Sequence, residues 1–161
     1  MLLAWWLLLP RLEAAPSYYI NYSARVDGVM LCGFDYSILH PDAVVDLEPA
    51  KALGQKPLAY LSVVEVARNA KYQPGFKATK VPVLTGNEEW ASDVVDITHP
   101  NWIPFVLTLA AEAVAKGYSG FFLDTVDSWQ LLARAAPTRQ AEFREAVAKL
   151  IRELRLSLIH I

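Results

Sequence analysis

The chain has 161 residues, enough for one domain of ordinary size. Its net charge is −2 and its lysines and arginines are scattered, so there is no basic stripe or motif for nucleic acid. Cys32 is the only cysteine, which excludes an intrachain disulfide and a thiolate zinc site, and three histidines make a His-based metal centre a poor fit.

The chain opens on an apolar run, Met1 to Leu9, with Ala14-Ala15 shortly after. This predicts a secretory signal over residues 1–15, although no Lys or Arg precedes Arg11. The run is too short to span a bilayer as a helix.

The middle of the chain alternates strands and helices. Ser17–Tyr22 reads as a first strand, Ala24–Gly33 as a short helix or turn, and Phe34–Leu39 as a second strand ending in His40-Pro41-Asp42. A helix is predicted over Val44–Leu53, with Gly54 as its C-cap. Pro57–Glu65 is near-continuously apolar, as a buried parallel strand should be. Residues 67–90 carry Pro74, Gly75, Pro82, Gly86 and Asn87 and read as a long functional loop, with a short extended piece at Val94–Ile97. A helix follows over Trp102–Lys116, with Asn101 as its N-cap and Gly117 as its stop. Phe121–Asp124 reads as a fourth strand. Thr138 caps a last helix with Phe143, Val147, Leu150, Ile151 and Leu154 as its buried stripe.

These are four βα units. No glycine-rich loop follows the first strand, which removes the dinucleotide and P-loop readings. A (β/α)8 barrel needs roughly 250 residues, so the fold class expected over residues 17–155 is α/β, the N-terminal half of a (β/α)8 TIM barrel. Residues 156–161 leave the amphipathic pattern abruptly and equal a translated library-adapter end. They are expected to be non-native, with the natural protein continuing past Arg155.

Chemistry collects at the carboxyl ends of parallel strands. Asp124 and Asp127 follow an apolar strand there, and Glu65 ends the strand expected beside it. Two carboxylates on neighbouring strands suit glycosidic bond cleavage, one protonating the leaving oxygen while the other attacks the sugar or activates water. The alternative for Asp124 and Asp127 is that they cap the next helix. Tyr19, Tyr60, Trp90 and Trp129 offer aromatic faces for sugar, against the alternative of core packing. His40, Ser62 and Asn87 are further candidate substrate contacts, whereas Asp96 and His99 read as structural caps. Two aspartates three apart do not fit a haloacid-type phosphohydrolase, and a Gly-x-Ser-x-Gly elbow is absent.

Five segments in order, Phe34-Asp-Tyr…Pro41-Asp42, Pro57-Leu-Ala-Tyr-Leu-Ser-Val-Val-Glu65, Leu84-Thr-Gly-Asn-Glu-Glu-Trp90, Val95-Asp96…Pro100-x-Trp102 and Gly120-Phe-Phe-Leu-Asp-Thr-Val-Asp-Ser-Trp129, resemble the endo-α-1,4-polygalactosaminidase-like glycoside hydrolases of the family 114 type. The resemblance runs from about Tyr18 to Leu154. It implies a TIM barrel, no metal and no cofactor. It also implies hydrolysis of α-1,4 linkages in galactosamine- or N-acetylgalactosamine-rich exopolysaccharide and association with envelope exopolysaccharide machinery, while the N-terminal signal reading makes a secreted or periplasmic protein the expectation. Asp124 matches the family's strand-end acid and Glu65 the acid of its Tyr-Leu-Ser-x-Gly-Glu segment. Val64 replaces the usual glycine, which is expected to crowd the cleft beside Glu65, and His40 stands where relatives often carry an acid. The family also uses an acid from the second half of its barrel. Glu65 is therefore either the catalytic partner of Asp124 or a subsite residue. The rival readings are a non-catalytic polysaccharide-binding barrel and an inactive fragment.

Overall fold

The computed structural model describes residues 15–159. The expected signal segment lies outside the described residues except for Ala15, and the expected non-native tail is described only to Ile159, as backbone of the last helix. Among the described residues no helix is long and apolar enough to cross a membrane.

Four strands, β1 (Tyr18–Asn21), β2 (Tyr36–Leu39), β3 (Lys56–Ser62) and β7 (Gly120–Asp124), form one parallel sheet in the order β1-β2-β3-β7. Parallel neighbours need crossovers. These are a 3-10 turn at Gly28–Gly33, helix α1 (Glu48–Ala52), and a long excursion that ends in α3 (Trp102–Ala115). Gly54, at φ 85°, and Gly117, at φ 97°, close α1 and α3 in the left-handed region that glycine occupies freely. After β7 come α4 (Trp129–Ala135) and α5 (Gln140–Ile159).

Several boundaries move. The loop expected at 67–90 contains α2 (Gln73–Thr79) and β5 (Val83–Asn87). The third strand ends at Ser62 rather than Glu65, and Glu65 opens β4 (Glu65–Ala67). With β6 (Ser92–Val95), these strands make a separate antiparallel sheet, β4-β6-β5. Asn101 holds the N-cap position of α3 as expected, but its side chain makes no capping bond, and its Nδ2 donates to the Thr79 carbonyl at 2.9 Å. Thr138 lies inside a 3-10 turn (Pro137–Arg139) instead of capping a helix. In α5, Phe143, Val147, Leu150 and Leu154 are buried as expected, while Ile151 is on the exposed side.

The main core lies beneath the antiparallel sheet, where Val63, Val64, Val66, Val94 and Val95 meet Trp102, Val106 and the stripe of α5. Val64 is fully buried there, so it fills the core and does not crowd the cleft. Asp96 is held by Arg139 at 3.0 Å and accepts from Thr98, so it ties the β6–α3 link to the start of α5. His99 Nδ1 accepts from the Asn101 N–H at 3.2 Å.

Val63 and Val64 lie between the two sheets with no ladder of their own, and their buried backbone groups need other partners. The Val63 N–H donates to the Asp124 carbonyl and to Thr125 Oγ1, and the Val64 N–H donates to the same Oγ1 at 3.0 Å. Trp102 Nε1 donates to the Val63 carbonyl at 3.0 Å, and the Val95 N–H to that of Val64. The Thr125 hydroxyl accepts twice, which leaves its proton for Ser62 Oγ at 3.0 Å, and Ser62 then donates to the Glu65 carbonyl at 2.7 Å. Thr125 does this from φ 60°, an uncommon conformation for a β-branched residue.

Replacing this hydroxyl by a methyl leaves the buried Val64 N–H without an acceptor. Thr125→Val is expected to lower unfolding free energy by about 1–3 kcal/mol, and Thr125→Ser by much less. Urea denaturation of the two variants checks this; equal loss in both would contradict it.

Candidate active site

An open cleft of about 1220 Å³ runs past the carboxyl ends of β3 and β7 and the antiparallel sheet, and residues of α3 and α4 line it as well. Of the residues expected at the site, Glu65, Asp124, His40, Tyr60, Ser62, Asn87, Trp90 and Asp127 line it. Tyr19 and Trp129 do not. Tyr19 packs on Phe34 with ring centroids 5.3 Å apart and belongs to the core cluster on the other face of the sheet. Trp129 starts α4 and packs into the main core, with the Arg144 guanidinium 5.8 Å from its ring centroid.

Asp124 is the last residue of β7, directly across from Ser62. Strand alternation places it on the same face as Phe122, opposite Tyr60. The Tyr60 hydroxyl donates to Asp124 Oδ2 at 2.5 Å. Burial first, then the hydrogen bond and the negative charge of Asp124, push the Tyr60 phenol well above its usual range, so it stays a donor. Among the described residues Asp124 Oδ1 has no hydrogen-bond partner. One oxygen is thus fixed and the other is open in the cleft.

Glu65 differs in every respect. It is 5% exposed. Ser92 Oγ donates to its Oε2, Ser128 Oγ donates to Oε1 at 2.5 Å, and Asn87 Nδ2 reaches both oxygens at 3.2 and 3.3 Å. It does not face Asp124 across a strand pair, because the chain has left the parallel sheet by then. The two acids are joined through Thr125 and Ser128 instead.

Around these acids stand Tyr22, Trp90, Asp127 and His40. The Tyr22 ring meets Tyr60 edge-on at 5.1 Å, and burial, with the charge of Asp124, raises its phenol pKa. Trp90, at the tip of the β5–β6 hairpin, is 73% exposed. His40 follows β2; burial lowers its pKa, so its imidazole is neutral at pH 7, and Nδ1 accepts the Asp42 N–H at 3.1 Å. The remaining Nε2–H is then a donor.

Sequence reasoning missed Ser92, Thr125 and Ser128. Isolated small polar residues carry no periodic signal. Only their proximity to a singled-out acid, in the case of Thr125 and Ser128, could have drawn attention to them.

Because Tyr60 stays protonated, Tyr60→Phe is expected to leave the ultraviolet tyrosine titration unchanged below pH ~10. Loss of absorbance change in that range would show that Tyr60 ionises normally and is not held by Asp124.

The sequence profile of glycoside-hydrolase family GH114 matches residues 18–160. The glycoside hydrolase domain of PelA from Pseudomonas aeruginosa is similar in structure, with TM-score 0.75 and 33% identity over 87% of this chain and 55% of that one. A variant of that domain gives 0.76 and 32%, over 89% and 56%. Aspergillus fumigatus Ega3, solved in complex with galactosamine, shares the fold at TM-score 0.60 and 16% identity, over 84% of this chain and 64% of that one. An uncharacterized protein of Methanocaldococcus jannaschii is 28% identical over 91 residues, which is 55% of this chain and 26% of that protein. The chain thus spans little more than half the length of the PelA domain. Its four parallel strands match part of a TIM-barrel glycoside hydrolase domain, and the chain belongs to glycoside-hydrolase family GH114.

Proposed function

We propose that this chain contributes the Asp124 side of a glycoside hydrolase active site acting on galactosamine-rich exopolysaccharide with α-1,4 linkages. The observation that carries the reading is the state of Asp124. It ends a barrel strand in a large cleft, with one oxygen fixed by Tyr60 and the other unpartnered. A carboxylate held in this way is oriented for attack on an anomeric carbon or for stabilising positive charge that develops there. The PelA domain, at 33% identity, supports the reaction class, and the galactosamine bound to Ega3 supports the sugar.

The other residues of the cleft fit a polymer. Trp90 offers an exposed ring at the rim, Tyr22 offers another near Asp124, and His40 offers an N–H donor. Asp127 lies exposed beside Asp124 and favours a cationic amino sugar over a neutral one. A polymer substrate of this class supports a secreted or periplasmic protein that works with the exopolysaccharide machinery. The second reacting carboxylate is either Glu65 or an acid of the part of the barrel that the PelA domain has beyond this match.

In the protein carrying the complete barrel, Asp124→Asn is expected to lower release of new reducing ends from galactosamine polymer by about 10²–10⁴-fold with the fold intact. Activity equal to the unsubstituted protein would overturn the assignment. Polymer binding without new reducing ends in either protein would establish a non-catalytic binding barrel.

A further inference from the structure

Glu65 sits where four segments converge. Its own strand β4 brings the carboxylate, β5 brings Asn87, β6 brings Ser92, and the turn after β7 brings Ser128. The backbone ladder joins β4, β6 and β5 to one another, but it does not reach residues 125–128. The Glu65–Ser128 bond is therefore a direct polar link between the hairpin that carries Trp90 and the turn that follows Asp124. A carboxylate only accepts, so both serine hydroxyls must donate to it, and no donor of the cluster is left without a partner.

We propose that Glu65 is a positioning residue, not the second reacting acid. It locks the β5–β6 hairpin to the Asp124–Ser128 turn, and so fixes the distance between the sugar platform at Trp90 and the open oxygen of Asp124. The inference rests on the hydrolase reading above and deepens it. A nucleophile or general acid must offer an oxygen to the sugar within hydrogen-bond reach. Glu65 is 5% exposed and both of its oxygens are already engaged. Removing the carboxylate would leave three donors unpaired in a buried place, which loosens the hairpin and the turn together. An amide can replace it. A glutamine oxygen accepts from one serine, its NH2 donates to the other once that hydroxyl rotates, and Asn87 turns its own amide to match.

The test compares Glu65→Gln, Glu65→Ala and Ser128→Ala by two readouts. The first is amide hydrogen exchange on this chain. The positioning role predicts near-normal protection in Glu65→Gln, and exchange at least ~10-fold faster over residues 83–95 and 125–128 in Glu65→Ala, with β1–β3 unchanged. Ser128→Ala, the milder variant, should loosen 125–128 alone if Glu65→Ala fails to fold. The second readout is kcat, KM and the pH profile in the complete-barrel protein. Glu65→Gln should keep kcat within ~10-fold and both limbs of the profile, while Glu65→Ala should raise KM as well as lower kcat. A loss of about 10²–10⁴-fold in kcat for Glu65→Gln with normal exchange, or the loss of one pH limb, would identify a reacting acid and overturn the proposal. Unchanged exchange in both alanine variants would also overturn it. If the unsubstituted protein cleaves nothing, the hydrolase reading fails, and the exchange data alone decide whether Glu65 is a clamp.

Discussion

Between Ser62 and Glu65 the chain crosses from a parallel sheet to an antiparallel one, and the Thr125 hydroxyl makes that crossing possible. Two successive buried N–H groups converge on one oxygen, whose proton passes on to Ser62 and through Ser62 to the Glu65 carbonyl. Thr125 accepts a left-handed backbone to reach this position. The residue before it is Asp124. The same turn therefore ends β7, joins the sheets and aims the next strand, so the path of the backbone and the placement of the acids are one problem with one solution.

The two acids then take on different characters from their surroundings. Asp124 stands at the mouth of the parallel sheet with a single donor and an open oxygen. Glu65 is pulled under the antiparallel sheet and surrounded by donors. Equal formal charge does not make them equal chemical partners. A reacting carboxylate needs access, and a structural one needs its hydrogen bonds satisfied; burial decides between the two. The antiparallel sheet holds the Trp90 rim over the cleft, while the valines beneath it, packed on Trp102 and α5, make the support rigid.

Much of this was legible in the sequence. The apolar run Phe121–Leu123 ending in Asp124 identified both the strand and the acid, because a short aromatic run bounded by Gly120 favours a strand, although β7 ends the sheet and leaves Phe122 exposed. The helix over 102–116 and the stripe of α5 followed from helical spacing. The switch at Val63-Val64 was hidden. Val63 and Val64 continue the apolar character of β3 past Ser62, and a valine buried in a sheet cannot be told by pattern from one buried after leaving it. The β5–β6 hairpin was hidden by its own turn formers, which read as loop. Ser92 gave no signal at all, and Ser128 only its closeness in sequence to Asp127, since the importance of both comes from meeting Glu65. Tyr19 and Trp129 were misplaced because an aromatic in a strand or at a helix start faces whichever side the alternation or helical rotation gives it.

The central claim is that a sugar reacts at Asp124. A crystal structure of the Asp124→Asn protein bound to a galactosamine oligosaccharide tests it most directly. The account predicts an anomeric carbon about 3–3.5 Å from the residue 124 side chain, with a sugar ring on Trp90. An oligosaccharide bound away from residue 124, or against Glu65 with the Ser92 and Ser128 bonds broken, would contradict it.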